Sequence, residues 1–395
     1  MESSQAPARN TLAVEQLTLQ DFRNYHNEEA QFAAGVNFVV GRNAQGKTNL
    51  LEAVHCLSGL GSPRSQDAAL IREGAGRAVL HGRLARSSRQ VQIDIEWKPG
   101  RGARCLLNGS PLPGTRALGE VMVCVFFGPD DLLVIKGSPE GRRRMLDDLA
   151  VKLKPARHAT GREWDRVLRQ RNALLKSLRA THPGSKERGT ALSTLEVWDE
   201  TFCRAGAALT AARLEALQML LPYAAKRYEA IAGGGCFEMS YVSDWLATDP
   251  ATKSRSESDL RVELTTALSS VHQRELERGM SLMGPQRDDL MVTLTTKNGE
   301  GALDARVYAS QGDQRTSALA LKLGEHDLLT EVLGVAPVLL LDDVFSELDA
   351  SRREWLDATV RDMGQTILSS AEPGGAGDLV PDRVLEISGG RIQHG

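Results

Sequence analysis

The pattern of hydrophobic and polar positions divides the chain into strand-like and helix-like stretches. Residues 12–32 and 78–107 contain runs in which apolar and polar side chains alternate, and the run 91–97 (VQIDIEW) is the clearest case. A period of two is typical of strands with one buried face. Residues 121–127 form a shorter apolar run. We expect all of these stretches to contain strands.

From residue 139 to residue 232 the apolar side chains recur at helical spacing. The polar segment 181–185 interrupts this pattern, which predicts two helices joined as a helical hairpin. The hairpin is too short to be a long coiled-coil arm. Residues 256–280 have a helical pattern again, and residues 290–295 are strand-like.

A phosphate-loop motif follows the apolar run Val36–Val40, which predicts a buried strand. The motif G-x-x-x-x-G-K-[ST] is matched at every fixed position and leads into a helical pattern. Its two glycines let the backbone curl around a phosphate, which N–H groups and the positive end of the helix can hold. We expect Lys47 to reach the outer phosphates and the Thr48 hydroxyl to ligate Mg²⁺. The predicted ATP-binding residues are Gly41, Arg42, Asn43, Ala44, Gln45, Gly46, Lys47, Thr48 and Asn49.

A second apolar run, Val338–Leu341, ends in two acidic residues. An acid at the carboxyl end of a buried strand is the second element of a phosphate-loop ATPase, so Asp342 is predicted to hold Mg²⁺. Asp343 is placed to orient or polarise the attacking water. The alternative is a pair of strand-terminal acids that face solvent, and the phosphate loop earlier in the chain favours the ATPase interpretation.

Two shorter motifs indicate the class of ATPase. Ser310-Gln311-Gly312 precedes a helical run and resembles the signature of ABC-type ATPases, because a hydroxyl and N–H groups at a helix start can bind an anion. Ser346-Glu347-Leu348-Asp349 resembles the D-loop of the same superfamily through Ser346 and Asp349. Either motif alone could be an ordinary helix start, but the order of all four motifs favours the ABC class. The predicted catalytic residues are Asp343, Lys47 and Gln311.

These motifs also predict an assembly. In the ABC class the signature of one subunit contacts the γ-phosphate of the ATP held by another subunit. This chain carries one phosphate loop and one signature, so two ATP molecules would lie in the interface of a two-fold symmetric homodimer. ATP would hold the pair together, and hydrolysis would release it.

Composition adds limits rather than a function. The chain has 395 residues, enough for two or more lobes, and its five cysteines form no C-x-x-C pair. This argues against a metal ribbon or disulfide framework and favours the cytoplasm. No apolar run reaches membrane-spanning length, so no membrane partner is expected. The net charge of −3 means that nucleic-acid binding would need a local basic patch.

The predicted fold class is α/β, an ABC-type ATPase head with a mixed sheet and a mainly helical second lobe built on the short hairpin. We assign residues 1–137 to the head with the phosphate loop and residues 138–305 to the second lobe. Residues 306–395 then return to the head with the signature, the acidic strand end and the D-loop.

The chain resembles the RecF family of bacterial recombination mediator ATPases over nearly its whole length. The stretches that carry the resemblance follow in the family's order. They are Leu19–Tyr25, Gly41–Leu51, Phe127–Leu132, Lys136–Arg144, Gly284–Leu290, Ser310–Gly312 and Leu341–Asp349. Gln286 stands where the family element has histidine, and residues 365–369 contain no switch histidine, so the residue that senses the γ-phosphate is unassigned.

The resemblance implies ATP-dependent dimerisation and weak, DNA-stimulated ATP hydrolysis. It also implies binding to duplex DNA near single-strand gaps or junctions. The implied partners are RecR, with RecO, in the loading of the RecA recombinase onto gapped DNA.

Charge gives separate support for a DNA surface. Between Arg142 and Arg179 the chain has 12 Lys and Arg against 4 Asp and Glu. Such a surface could neutralise phosphates without reading sequence. The alternatives are a solvated helix face and, for residues 142–144, internal ion pairs with Asp147 and Asp148. A low aromatic content of 5% argues against a base-stacking platform. The candidate DNA contacts are Arg142, Arg143, Arg162, Arg166 and Arg169.

Two other functions share these motifs. A transporter-type ABC subunit would need a membrane partner and would leave the middle of the chain unexplained. An SMC-type chromosome-organising module would need longer helical arms than the predicted hairpin supplies, unless a partner extends them.

Overall fold

The computed structural model describes residues 11–65, 67–182, 184–246, 255–295, 301–345, 348–371 and 379–394. The chain divides into two compact units. Unit 1 comprises Met1–Leu132, Lys226–Gly234 and Gln311–Gly395, and unit 2 comprises Leu133–Ala225 and Gly235–Ser310. These boundaries lie a few residues from the expected ones, and residues 226–234 belong to unit 1 rather than to the second lobe.

The strands of the described residues are numbered in chain order. They are β1 (Leu12–Phe22), β2 (Tyr25–Gln31), β3 (Val36–Val40), β4 (Ala78–Arg86), β5 (Arg89–Trp97), β6 (Arg104–Leu107), β7 (Ser110–Pro111), β8 (Cys124–Phe127), β9 (Cys236–Val242), β10 (Asp289–Thr295), β11 (Ala302–Asp304), β12 (Val338–Asp342), β13 (Thr366–Ser370), β14 (Arg383–Ser388) and β15 (Arg391–His394).

The α-helices are numbered in the same way. They are α1 (Lys47–Cys56), α2 (Leu133–Lys136), α3 (Pro139–Leu153), α4 (His158–Ala180), α5 (Lys186–Ala232), α6 (Glu257–Arg278), α7 (Ala305–Tyr308), α8 (Gln311–Leu333) and α9 (Ala350–Val360).

Unit 1 contains a mixed six-stranded sheet in the order β15-β14-β3-β13-β12-β8. All neighbours are parallel except β15, which runs antiparallel to β14. Every residue of β3, β12 and β13 is buried, which explains why these strands read as continuous apolar runs rather than alternating ones. Since the strands are parallel, the residues that follow β3, β12 and β13 lie at one edge of the sheet.

A second sheet of unit 1 is antiparallel, in the order β2-β1-β4-β5-β6-β7. Its strands carry the alternating pattern seen in the sequence. Helix α1 contributes Leu50, Leu51 and Val54 to a core that also contains Leu17 and Leu80 of this sheet. The first helix after the phosphate loop is therefore fixed by apolar packing.

Unit 2 combines helices with a three-stranded antiparallel sheet in the order β11-β10-β9. The predicted hairpin corresponds to α4 and α5, and α6 packs into the same core. Trp164 of α4 lies 4.8 Å from Phe202 of α5 between ring centroids, and Leu260 and Leu264 of α6 complete this cluster. The second lobe is thus a helical cluster with its own sheet rather than a hairpin alone.

Candidate nucleotide-binding site

The phosphate loop connects β3 to α1, and both of its glycines are required by geometry. A Cβ atom on Gly41 would lie 2.3 Å from the carbonyl oxygen of Ile387, and Gly41 has φ of 156°. A Cβ atom on Gly46 would lie 2.9 Å from the Tyr25 hydroxyl, and Gly46 has φ of 124°. Any other residue at either position would clash and be strained.

Two turns hold the loop from outside. At the turn between β1 and β2, Asn24 Nδ2 donates to the Gln45 carbonyl at 2.9 Å, and the hydroxyl of Tyr25, the first residue of β2, donates to the Gly46 carbonyl at 2.9 Å. In the turn between β14 and β15, the Gly390 N–H donates to the same Gln45 carbonyl at 3.1 Å. Burial raises the pKa of Tyr25, which keeps its hydroxyl a neutral donor. The loop is therefore pre-organised by residues far away in the sequence.

Lys47 is the first residue of α1 and is only 7% exposed. Its Nζ donates to the carbonyl oxygens of Gly41, at 2.7 Å, and Arg42, at 3.1 Å. Burial lowers the pKa of the Lys47 ammonium, while the charges of Asp343 and Asp342 act in the opposite direction. The lysine of the phosphate loop and the two acids after β12 are thus close enough to interact electrostatically.

The acidic strand end is organised by a serine. Asp342 is the last residue of β12 and pairs in register with Ser369 of β13. The Ser369 hydroxyl donates to Asp342 Oδ1 at 2.5 Å and accepts from the Asp343 N–H at 3.0 Å. Asp342 is 4% exposed, and Asp343 has φ of 54°, a conformation that residues other than glycine seldom adopt. The carboxylate of Asp342 and the backbone of Asp343 are therefore held in defined positions at the sheet edge.

A cleft within unit 1 opens beside these acids. It is lined in part by Gly128, Arg315 and Leu348 together with Asp342 and Asp343. A Cβ atom on Gly128 would lie 3.7 Å from the Cβ of Asp342, so Gly128, which follows β8, lies beside the acidic strand end. The cleft lies at the carboxyl edge of the parallel strands, where ligands bind in open α/β sheets.

The donor set fits Mg²⁺ bound together with a nucleotide. The part of the chain that the structure describes contains no group of three His, Cys, Asp or Glu side chains suited to a metal ion. Mg²⁺ does not need one, because it usually takes one or two carboxylates with water and phosphate oxygens. The Thr48 hydroxyl in the first turn of α1 and the carboxylate of Asp342 are groups of this kind.

The signature motif lies at the start of α8. Ser310 directly precedes this helix, and Gln311 and Gly312 are its first residues. Ser310 and Gln311 are exposed to solvent. In the D-loop motif, Ser346 lies outside the described residues, and the Asp349 side chain caps α9 by accepting from the Arg352 N–H at 3.0 Å. Asp349 therefore acts as a helix cap, the role that the sequence left open for it.

The structure corrects one predicted DNA contact and weakens another. Arg142 is 2% exposed and forms a double hydrogen bond with Asp289, from Nε to Oδ1 at 2.6 Å and from Nη2 to Oδ2 at 2.9 Å. It is a buried structural residue and not a surface cation. Arg143 is half-buried, and its Nη1 donates to the Asp288 carbonyl at 2.6 Å.

The predicted ion pairs within α3 are also only partly present. Arg144 lies 3.9 Å from Asp148. Asp147, however, pairs with Arg213 of α5 at 2.7 Å. Side chains that face away from the apolar stripe of α3 therefore still find buried partners on other elements of unit 2.

The remaining three candidate DNA contacts lie together on α4. Arg162, Arg166 and Arg169 are all exposed, and they line one shallow concavity of the surface. Their spacing of three and four residues places them on the same face of the helix. Glu163 also lines this concavity, and its carboxylate forms an ion pair with Arg204 at 2.9 Å. This pairing offsets part of the negative charge that Glu163 places beside the three arginines.

The site also contains residues that the sequence motifs did not single out. Ser369 and the turn at Gly390 carry no motif of their own. Asn24 and Tyr25 lie within a stretch of family resemblance, but no chemical role could be read from them. Their contacts depend on strand order, which the local sequence does not encode.

The phosphate loop, the acidic strand end and the mixed sheet with its antiparallel edge define an ABC/SMC-type ATPase head. Residues 13–375 match the family model described as RecF/RecN/SMC N terminal domain. The chain is 39% identical to the DNA replication and repair protein RecF of Streptomyces avermitilis over 385 residues, covering 96% of this chain and 99% of the relative. It is 40% identical to that of Kineococcus radiotolerans, covering 91% and 93% of the two chains. The chain belongs to the RecF family.

Solved structures agree with this membership. The chain is similar to a structure of the recombination mediator protein RecF-ATP in the RecFOR pathway, with a TM-score of 0.87, 28% identity and 99% of both chains covered. The Smc head domain of Pyrococcus furiosus has a TM-score of 0.54 at 16% identity, which reflects the fold alone. In the described residues no helix is both long and apolar enough to cross a membrane.

Proposed function

We propose that this chain is an ATP-dependent recombination mediator that dimerises on duplex DNA near single-strand gaps. The observation that carries the proposal is the arrangement of Lys47, Asp342 and Asp343 at one sheet edge in a chain of the RecF family. The similar RecF structure is described with ATP and in the RecFOR pathway. RecR, with RecO, is the partner that we propose for loading the RecA recombinase.

In the proposed nucleotide complex, the N–H groups of residues 41–48 and the N-terminus of α1 bind the phosphates. Lys47 moves its ammonium from the loop carbonyls to the outer phosphates, which a buried cation favours because it regains a charged partner. Asp343 orients the attacking water. Thr48 and Asp342 would hold Mg²⁺, which supplies charge neutralisation to the phosphates.

The proposed dimer uses the exposed signature. Ser310 and Gln311 are open to solvent at the start of a 23-residue helix, and a helix N-terminus of this length favours an anion. The γ-phosphate of ATP held by a second copy is an anion of this kind. Dimerisation would therefore require ATP, and the weak hydrolysis that we propose would make it reversible.

The test is the solution mass of the chain by light scattering with and without ATP and Mg²⁺. We expect a monomer that doubles in mass only with ATP. Lys47→Met should lose both ATP binding and dimerisation, whereas Ser310→Arg should bind ATP and remain monomeric. A wild-type solution mass that is the same with and without ATP, or a Ser310→Arg variant that still dimerises, would contradict the proposed homodimer with ATP in its interface.

The DNA surface is tested by charge reversal on α4. Replacing Arg162, Arg166 and Arg169 by Glu should weaken duplex binding and reduce its salt dependence by roughly one unit of slope per lost phosphate contact. The matched control reverses three exposed arginines of α6, which should leave both quantities unchanged. These are Arg261, Arg274 and Arg278. Equal losses in both variants would mean that overall charge, rather than the α4 face, governs binding.

A further inference from the structure

The hairpin formed by β14 and β15 is closed by a two-glycine turn that lies against the phosphate loop. Gly389 has φ of 58° and Gly390 has φ of 72°, so both occupy the left-handed region that two-residue hairpin turns favour. A Cβ atom on Gly390 would lie 2.5 Å from the carbonyl oxygen of Asn24, whereas a Cβ atom on Gly389 would meet no atom within 4 Å. Gly390 is therefore needed for this close approach as well as for the turn itself.

Both residues of the turn donate hydrogen bonds to Gln45 of the phosphate loop. The Gly389 N–H donates to Gln45 Oε1 at 2.7 Å, and the Gly390 N–H donates to the Gln45 carbonyl at 3.1 Å. Asn24 Nδ2 donates to the same carbonyl at 2.9 Å. The side chain and the carbonyl of Gln45 are therefore both held by groups outside the loop.

The hairpin has anchors of its own, which do not involve Gln45. Strand β14 pairs in parallel with β3 in the mixed sheet. The Ile392 N–H of β15 donates to Glu28 Oε2 of β2 at 2.9 Å. A Cβ atom on Gly41 would lie 2.3 Å from the carbonyl oxygen of Ile387, so β14 also lies beside the first residue of the loop. A hairpin held in this way can act as a template for the shape of the loop.

Fixing the Gln45 carbonyl also fixes the next N–H group of the loop. In a planar trans peptide the C=O of one residue and the N–H of the next point in opposite directions. The Gln45 carbonyl points to Asn24 and Gly390, so the Gly46 N–H points away from them. No described residue accepts a hydrogen bond from this N–H. It is therefore available as a backbone donor to a phosphate.

We propose that the Gly389–Gly390 turn positions the phosphate loop for ATP, with Gln45 as the positioning residue through which it acts. The turn holds the Gln45 peptide so that the Gly46 N–H faces the phosphates before ATP arrives. This inference rests on the proposed function, because it requires that ATP binds at this loop. Donors that are already oriented bind more tightly than donors that must be ordered on binding. The hairpin therefore raises ATP affinity, although it carries no ATPase motif.

The experiment measures the dissociation constant of ATP by isothermal titration calorimetry on the full chain with Mg²⁺. Gly390→Ala should weaken ATP binding roughly tenfold or more, which is the effect of losing one hydrogen bond to a charged group. The matched control is Gly109→Ala, which should bind ATP like the wild type. It changes the same second position of the two-residue turn between β6 and β7, at φ of 78° and with no atom within 4 Å of the added Cβ.

A second variant tests the route through Gln45. Gln45→Ala removes the side-chain acceptor of the Gly389 N–H but keeps the carbonyl, so it should weaken ATP binding less, by about threefold. The double variant Gly390→Ala/Gln45→Ala should bind ATP no more weakly than Gly390→Ala, because both changes act on one peptide. Additive losses would mean that the Gln45 side chain contacts ATP independently, which would overturn this route. Gln45→Ala also decides the question if Gly390→Ala does not fold.

Steady-state kinetics separate positioning from a purely structural role. The KM for ATP should rise in Gly390→Ala, while the turnover number at saturating ATP should fall less, because Asp342, Asp343 and Ser369 lie at the ends of other strands. A lower urea midpoint with unchanged ATP affinity would mean that the turn only stabilises the fold, and it would overturn the inference. Equal losses of ATP affinity in Gly390→Ala and Gly109→Ala would do the same.

The outcomes also separate this inference from the proposed function. A wild-type chain that binds ATP, together with Gly390→Ala and Gln45→Ala variants that bind it equally well, would overturn the inference and leave the proposed function intact. A wild-type chain that does not bind ATP would overturn both.

Discussion

Two arginines in one helix turn should differ sharply in their contribution to stability. Arg142→Ala would remove a side chain that is 2% exposed and leave Asp289, whose side chain is 26% exposed, without its double hydrogen bond. It would also remove the bond from Arg142 Nη1 to the Gly137 carbonyl at 2.9 Å. Breaking a buried ion pair from one side costs about 3–5 kcal/mol, and the partial exposure of Asp289 places the expected loss near the lower end.

Arg144→Ala is the matched control. Its side chain is 60% exposed, and its distance of 3.9 Å from Asp148 is that of a weak i,i+4 pair. Such pairs contribute roughly 0.3–0.5 kcal/mol. The two substitutions remove the same atoms from the same helix, so the difference in their effects isolates burial and partner geometry.

Urea unfolding followed by circular dichroism measures the contrast. A loss of about 3 kcal/mol should lower the midpoint by roughly 1 M for a chain of this size, and Arg144→Ala should leave it nearly unchanged. Adding Asp289→Ala to the Arg142→Ala background should cost little more, because the pair is already broken. Equal midpoints for the two single variants would refute the structural role. Weakened DNA binding at unchanged stability would restore Arg142 as a DNA contact.

Two further predictions concern buried polar groups. Ser369→Ala removes the hydrogen-bond donor to Asp342. Because hydrogen bonds to charged groups contribute about 1.5–3 kcal/mol, the rate of ATP hydrolysis should fall roughly tenfold or more while ATP affinity changes little. An unchanged turnover number would contradict this positioning role. Burial raises the pKa of Asp288 to about 6, opposed by hydrogen bonds from Tyr241 and Trp245 among others. The folded chain then binds this proton more tightly than the unfolded chain, so its stabilisation is present below about pH 4 and is lost as pH rises through about 6. Urea midpoints of Asp288→Asn should lack this component of the pH dependence, and identical profiles for variant and wild type would contradict it.

The nucleotide-binding elements could be predicted because their chemistry is local. The phosphate loop needs two glycines, a lysine and a hydroxyl within a single turn of chain, so the sequence itself displays the site. The strands around it are buried on both faces, and the predicted runs 36–40 and 338–341 coincide with β3 and nearly with β12. The RecF family and the mixed-sheet ATPase head were predicted from these motifs and are confirmed by the comparisons.

The fate of the basic residues could not be predicted because it depends on distant partners. Arg142 is buried by Asp289, which lies 147 positions further along the chain. Arg171 occupies a core-facing position of α4 and is fully buried against Glu275, at 2.6 Å, and Asp199, at 2.7 Å. A helical pattern shows which positions face away from the apolar stripe, but not which of them another element will cover. Counting charges therefore overstated the free positive surface.

The role of Ser369, which lies in the segment without a switch histidine, also depends on strand order. Residues 365–369 contain no histidine, and no motif around Ser369 indicates a role for that serine. The sheet order β3-β13-β12 inserts β13 between the strand that leads to the phosphate loop and the strand that ends in Asp342. Ser369, the penultimate residue of β13, thereby becomes the side chain that binds the Asp342 carboxylate and the Asp343 backbone N–H. The contact of Ser369 with the acids follows from the strand order alone. The Ser369→Ala substitution therefore tests whether the assembled edge of the sheet, rather than a sequence motif, positions the acids.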